Sequence, residues 1–199
     1  MSHLVIGEGC EPLDSPGVLW HRVDGPQPAS ALCGLAECLR HVLMHHDAET
    51  GLICLESAVN LRFLTSAEAK ELIDSAPARS ASVLAGFDPR AESGSETRVR
   101  SWFYGRRVPV EPQAVIDGLG RVDMLVGNRL ILECDSDAHH TGVHIDPDRQ
   151  REQVAAELGY FMIRLSYQQI WDRWDETVEY LTRVIRSKQH RQSLKALPA

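Results

Sequence analysis

The stretch RVDMLVGNRLILECDSDAHH, residues 121–140, sets Asp123, Glu133 and Asp135 on an alternating apolar pattern and then runs into two adjacent histidines, His139 and His140. Carboxylates gathered on a sheet repel one another and are costly to bury unless something positive sits among them. Two kinds of chemistry relieve that cost. The acids can line an exposed sheet edge and pair with arginines, for which Arg100, Arg121 and Arg129 are at hand. Alternatively they can hold a hard divalent cation such as Mg²⁺, which takes oxygen ligands. Centring a hairpin on Gly127-Asn128 sets Asp123 opposite Leu132 and brings Glu133 within one residue of it. Asp135, two residues beyond Glu133, falls on the same face. A zinc site of Asp135 with His139, His140 and His144 is also compatible with the spacing, although no cysteine pair accompanies it.

These side chains need a scaffold of strands and helices. Upstream, ESGSETRVRSWFYGR predicts a helix capped by Ser93 or Ser95, with Glu96 in its first turn, where a carboxylate is favoured by the free N–H groups. VPVEPQAVI predicts an edge strand because of Pro109 and Pro112. The turns DGLG at 117–120 and GN at 127–128 then join RVDMLV and RLILECD into a meander. DRQREQVAAELGY predicts a helix ending at Gly159, FMIRLSY a short strand, and residues 168–187 one amphipathic helix through Ile170, Trp174, Val178, Leu181 and Ile185. The resulting order is αβββαβα.

Upstream of these elements, residues 1–27 predict irregular chain with a short strand at GVLWHRV. A helix follows from Ala29 to about His46, then shorter ones near Leu55–Arg62 and from TSAEA, where Thr65 or Ser66 caps. Three regions are expected: an acidic, mostly helical part at 1–91, the αβββαβα part at 92–190, and a tail at 191–199. The 199 residues carry a formal net charge of −7. Residues 90–199 hold 16 basic and 16 acidic side chains, so the whole excess of negative charge belongs to residues 1–89. A nearly neutral second half whose acids gather at one cation leaves a positive remaining surface, which permits a DNA face. Five cysteines without a CxxC pair argue against a disulfide framework. No apolar run approaches a membrane span, and MSHLVIGEGC lacks the marks of a signal peptide, so a cytoplasmic location is expected.

An acid on a first helix, an aspartate on the second strand and an acid-x-residue pair on the third resemble the PD-(D/E)XK nuclease superfamily. More narrowly, Ser93-Gly94-Ser95-Glu96, Gly120-Arg121-Val122-Asp123, Glu133-Cys134-Asp135 with His139/His140, Asp148-Arg149-x-Arg151 and Gly159-Tyr160 followed by Arg164 look like a largely actinobacterial family of endonucleases. That family is related to the very short patch repair endonuclease, and the likeness covers roughly residues 92–187. It implies an α/β (α+β) restriction-endonuclease-like core with a mixed sheet, behind a small helical N-terminal appendage. It further implies a metal-dependent DNA endonuclease using Mg²⁺, with Mn²⁺ as a substitute, and possible homodimers. By the same resemblance Asp123 and Glu133 are metal ligands, joined by Glu96, which orients the ion or its water. Asp135 stands where the superfamily usually has lysine, so the implied proton acceptor is His139 or His140. Arg149, Arg151 and Arg100 are the expected phosphate or DNA contacts, with salt bridges to Asp146, Asp148 or Glu152 as the other reading of Arg149 and Arg151. Arg164, on an apolar strand, is expected to bond one of the site's acids. Residues 28–90 look like the helical part of abortive-infection antitoxin proteins without the helix-turn-helix. The alternative function is therefore a catalytically silent module that binds nucleic acid or protein.

Overall fold

The computed structural model describes residues 2–6, 11, 16–22, 33–135 and 145–194. The chain divides after Cys38 into two compact units. In the first, β1 (Ser2–Ile6) pairs in parallel with β2 (Val18–Arg22). The strand expected at GVLWHRV is therefore present, whereas β1 adds order to a stretch expected to be irregular. Helix α1 (Leu35–His45) begins later than the sequence periodicity suggests.

The second unit starts with helices. Asp47 caps α2 (Ala48–Asn60) by accepting the Thr50 N–H at 2.9 Å. Thr65 and Glu68 form a reciprocal capping box on α3 (Ser66–Asp74), satisfying two N–H groups that the first turn leaves unpaired. A short 3₁₀ turn and α4 (Ala81–Leu84) follow. Leu39, Leu43, Leu52, Leu55, Leu72 and Leu84 bury their side chains in one cluster among these helices.

The remainder runs α5 (Gly94–Tyr104), β3 (Val110–Ile116), β4 (Gly120–Val126), β5 (Leu130–Asp135), α6 (Ile145–Glu157), β6 (Phe161–Ser166), α7 (Tyr167–Trp171) and α8 (Trp174–Arg186). The four strands form one mixed sheet in the order β3-β4-β5-β6, antiparallel except for the parallel pair β5/β6. The protein is thus a mixed α/β molecule. Val99, Phe103, Met124, Leu130, Leu132, Leu165 and Leu181 close one face of the sheet against α5, α7 and α8. Ala114, Ile116, Val122 and Ile131 close the other with Ala155 of α6. Each fully buried aliphatic or aromatic side chain of this kind contributes about 1.5–3 kcal/mol.

Helix α2 starts at Ala48 rather than near Leu55 as expected, and two details of the later elements also differ from the sequence expectation. The single helix expected over 168–187 is broken at Asp172 and Arg173, because both N–H groups turn back to the Gln168 carbonyl and Thr177 Oγ1 donates to the Gln169 carbonyl at 2.8 Å. Ser166 and Gln169 cap the first piece reciprocally, while Asp175 and Glu176 occupy the first turn of the second. The β4/β5 register is also displaced by one residue. Met124 pairs with Leu132, Leu125 with Ile131 and Val126 with Leu130, a register that, continued by one residue, sets Asp123 across from Glu133. Gly127, at φ +61°, sets that hairpin against the chain's end: a Cβ there would lie 2.5 Å from the His190 carbonyl oxygen. No helix among the described residues is long and apolar enough to cross a membrane.

Candidate active site

Backbone pairing between β4 and β5 stops at Met124 and Leu132, and side chains continue the ladder from there. The Cys134 N–H donates to Asp123 Oδ2 at 2.8 Å, and the Asp123 N–H donates to Glu133 Oε2 at 3.3 Å. Two carboxyls thus replace the carbonyls that a longer ladder would supply. They also meet each other. Burial pushes the Asp123 carboxyl up to about 6, the hydrogen bond from Cys134 opposes that rise, and the Glu133 charge, a hydrogen bond between the two carboxyls and the more distant Asp135 charge add to it.

Opposite Asp123, β3 is irregular. Gln113 adopts φ +54°, a left-handed conformation uncommon for a residue with a Cβ. The strands exchange faces at this point: Val110 and Met124 pack with the α5 side of the sheet, whereas Ala114 and Val122 pack with the α6 side. The turned Gln113 reaches α5, and its Nε2 donates to Glu96 Oε2 at 2.8 Å. Sequence reasoning missed Gln113. The Pro112-Gln113 step in an edge strand was the available signal, and it indicated only a weak strand.

Glu96 is 6% exposed, and both its oxygens are engaged. Oε1 accepts the Ser93 hydroxyl at 2.8 Å, and Oε2 accepts the Glu92 N–H at 3.1 Å besides Gln113. Burial raises its pKa in spite of these bonds, and the Asp123 charge adds to the rise. Among the described residues Glu96, Asp123 and Glu133 do not bring three ligand atoms within 4.8 Å of one another. In this structure Glu96 caps α5 and braces β3 through Ser93 and Gln113. Asp123 and Glu133 remain the adjacent pair.

The arginines fall in three different places. Arg151 Nη2 lies 3.0 Å from Glu133 Oε1 and also donates to the Arg121 carbonyl at 3.0 Å, so it belongs to the acid pair. Arg149 is exposed on α6. Arg100 is fully buried away from this site, where its Nη2 meets Glu56 Oε1 at 2.5 Å and Gly86 O at 3.3 Å, and its guanidinium lies 5.8 Å from the Tyr104 ring centre. A DNA contact by Arg100 is thereby overturned: a side chain sealed under α2 cannot reach a phosphate. Arg121, expected among the partners of the strand acids, instead binds Glu92 through two hydrogen bonds of 2.7 and 3.1 Å. Arg164 sits 3.9 Å from Asp135 and 3.5 Å from Glu152, as expected for an arginine on an apolar strand. His139, His140 and His144 lie outside the described residues.

The Cys134 thiol turns from the acids toward the core, as strand alternation requires, and packs against it. Burial first, then the carboxylates of Asp123, Glu96, Glu133 and Asp135, push its pKa far up, so it stays a neutral thiol. Comparison with protein-family models, with curated proteins and with solved structures finds no match to this chain.

Proposed function

We propose that the chain is a metal-dependent endodeoxyribonuclease of the PD-(D/E)XK kind, working in the cytoplasm on DNA. The observation that carries this reading is the contact between the Asp123 and Glu133 carboxyls at the point where two strands part. The pair fits a divalent ion in three respects. It offers oxygen donors only, which suits Mg²⁺ or Mn²⁺. Burial, with the Glu133 charge adding to it, holds Asp123 near 6, a cost that a cation lowers. The positive charge of Arg151 falls on Glu133 rather than on Asp123.

Asp123 and Glu133 would hold the ion, which when bound neutralises charge on a phosphate and acidifies a water. Glu96 keeps α5 and β3 in place around Asp123 through Ser93 and Gln113. Arg151 fixes the Glu133 carboxylate against the start of β4. In phosphodiester hydrolysis water adds to phosphorus, a P–O ester bond breaks and the leaving oxygen gains a proton. The imidazole of His139 or His140 is the group that the family resemblance assigns to take the proton from water. Arg149, exposed on α6, remains available for phosphate oxygens.

The engagement of both Glu96 oxygens favours the second reading, a silent module that binds nucleic acid or a protein without cutting. Supercoiled plasmid incubated with the protein and Mg²⁺ or Mn²⁺ separates the two. Nicking that disappears in both Asp123→Ala and Glu133→Ala supports the nuclease. Plasmid that stays supercoiled with the unaltered protein in both metals sinks it.

A further inference from the structure

Beside the acid pair lies a cavity of about 320 Å³ lined by Ser93, Gly94, Ser95, Cys134, Tyr167 and Trp171. Its lining includes none of Glu96, Asp123 and Glu133, and it meets the acid site through Ser93 and through Cys134, whose thiol faces away from the strand acids. Cys134 stands between Glu133 and Asp135 in β5, and its N–H is the one held by Asp123. Ser93 is the residue whose hydroxyl binds Glu96. In the β5/β6 register Asp135 pairs with Ser166, so Tyr167 begins one residue beyond the strand acids.

Two aromatic rings furnish this cavity in different ways. Trp171 is fixed, because its Nε1 donates to Ser95 Oγ at 3.0 Å and the Arg98 guanidinium lies over the ring at 5.0 Å. Tyr167 is 45% exposed although it lies next to the core, and its ring centre is 6.0 Å from that of Trp171 at an interplanar angle of 33°. A half-exposed tyrosine beside a fixed tryptophan gives a flat ligand a face to stack on. Among the described residues the lining includes no Asp, Glu, Lys or Arg, and the Ser93 and Ser95 hydroxyls are its polar groups beside the two rings. The volume stands near the lower end of ligand pockets, about 300 Å³, which suits one flat ring system rather than a large molecule.

We infer that this cavity receives the base of a DNA nucleotide next to the phosphate addressed by Asp123 and Glu133, with Tyr167 as its stacking platform. The inference rests on the nuclease reading for the position of that phosphate. An uncharged aromatic recess next to paired carboxylates suits a base better than a phosphate, since the acids repel the anion unless a cation intervenes. Stacking on an aromatic ring accepts any base, so the recess supplies affinity and register without sequence preference.

The test measures binding in Ca²⁺ by fluorescence anisotropy. One probe is a labelled single-stranded twelve-residue thymidine oligonucleotide. The other is an abasic chain of equal length and charge, whose sugars carry no base. The unaltered protein should bind the thymidine probe about tenfold more tightly than the abasic one. Tyr167→Ala should abolish that difference while leaving abasic binding unchanged, and Tyr167→Phe should retain it. Unchanged abasic binding by Tyr167→Ala also reports an intact fold. Equal affinities for the two probes, or a preference that survives Tyr167→Ala, overturn the inference. Plasmid nicking read in parallel separates the two failures. Nicking without base preference removes only this recess, whereas base preference without nicking removes the nuclease and leaves base binding standing.

Discussion

Burial raises the Asp123 carboxyl from its ordinary 3.8 to about 6, and that shift has a definite sign for stability. Between roughly pH 4 and 6 the folded chain binds more protons than the unfolded one, so stability falls as pH rises through this window and stays low above it. The raised carboxyl of Glu96 acts in the same direction. Asp123→Asn retains an acceptor for the Cys134 N–H and removes the charge. Its melting temperature at pH 7 should exceed that of the unaltered chain by about 2–4 °C for each kcal/mol relieved, and its profile between pH 4 and 6 should be flatter. Mg²⁺ should stabilise the unaltered chain at pH 8, do so much less at pH 5, and have little effect on Asp123→Asn. Thermal unfolding with and without the ion decides this, and a Mg²⁺ response that Asp123→Asn leaves intact places the ion elsewhere. The candidacy of Asp123 and Glu133 was legible because hairpin turns and strand alternation are local rules. Their hydrogen-bonded contact was not legible, since it depends on a register one residue from that expected.

Helix α5 joins two neighbourhoods, with Ser93 and Glu96 at its first turn and Arg100 in its middle. Arg100 was expected to face DNA, yet its partner is Glu56 of α2, which also accepts the Thr97 hydroxyl at 2.6 Å and the Asp88 N–H at 2.7 Å. Burial raises the Glu56 carboxyl while the Arg100 charge opposes the rise. Arg100→Met leaves that acid buried without its main cation and should cost about 3–5 kcal/mol. The double variant Glu56→Leu/Arg100→Met should recover at least half of the loss, because an apolar pair of similar volume needs no cation. Urea unfolding of both variants measures this, and additive losses would show that the pair is not coupled. The caps on α3 and α5 were legible, since Ser or Thr three residues before Glu is a local signature. The break between α7 and α8 was not. The periodicity of 168–187 runs on through Asp172 and Arg173, and only the Thr177 hydroxyl and the Gln168 carbonyl reveal the interruption.

At the scale of the whole molecule, the compact unit beginning at Leu39 includes the helices that the sequence assigns to a separate N-terminal region. Asn60 Nδ2 donates to the Glu92 carbonyl at 2.7 Å, and a Cβ placed on Gly94 would meet Ile53 Cγ2 at 2.9 Å, so α2 lies directly against the start of α5. A fragment of residues 92–190 exposes Arg100 and loses Glu56. It should fail to unfold cooperatively, whereas residues 35–194 should do so with a sharp transition. Circular dichroism on heating both fragments distinguishes these outcomes, and a cooperative 92–190 fragment contradicts the importance of the α2/α5 contact. By itself the sequence determined the strands from Val110 onward, where their hairpins turn, the caps of α3 and α5 and which acids of β5 share a face, because each is decided within a few residues. Only the tertiary structure decided that Arg100 is a buried strut, that Glu96 is a brace, that Gln113 turns toward α5 and that Tyr167 and Trp171 flank a recess. Those outcomes depend on contacts between residues 17 to 76 positions apart, brought together by burial of apolar surface, which has no direction and leaves no local pattern.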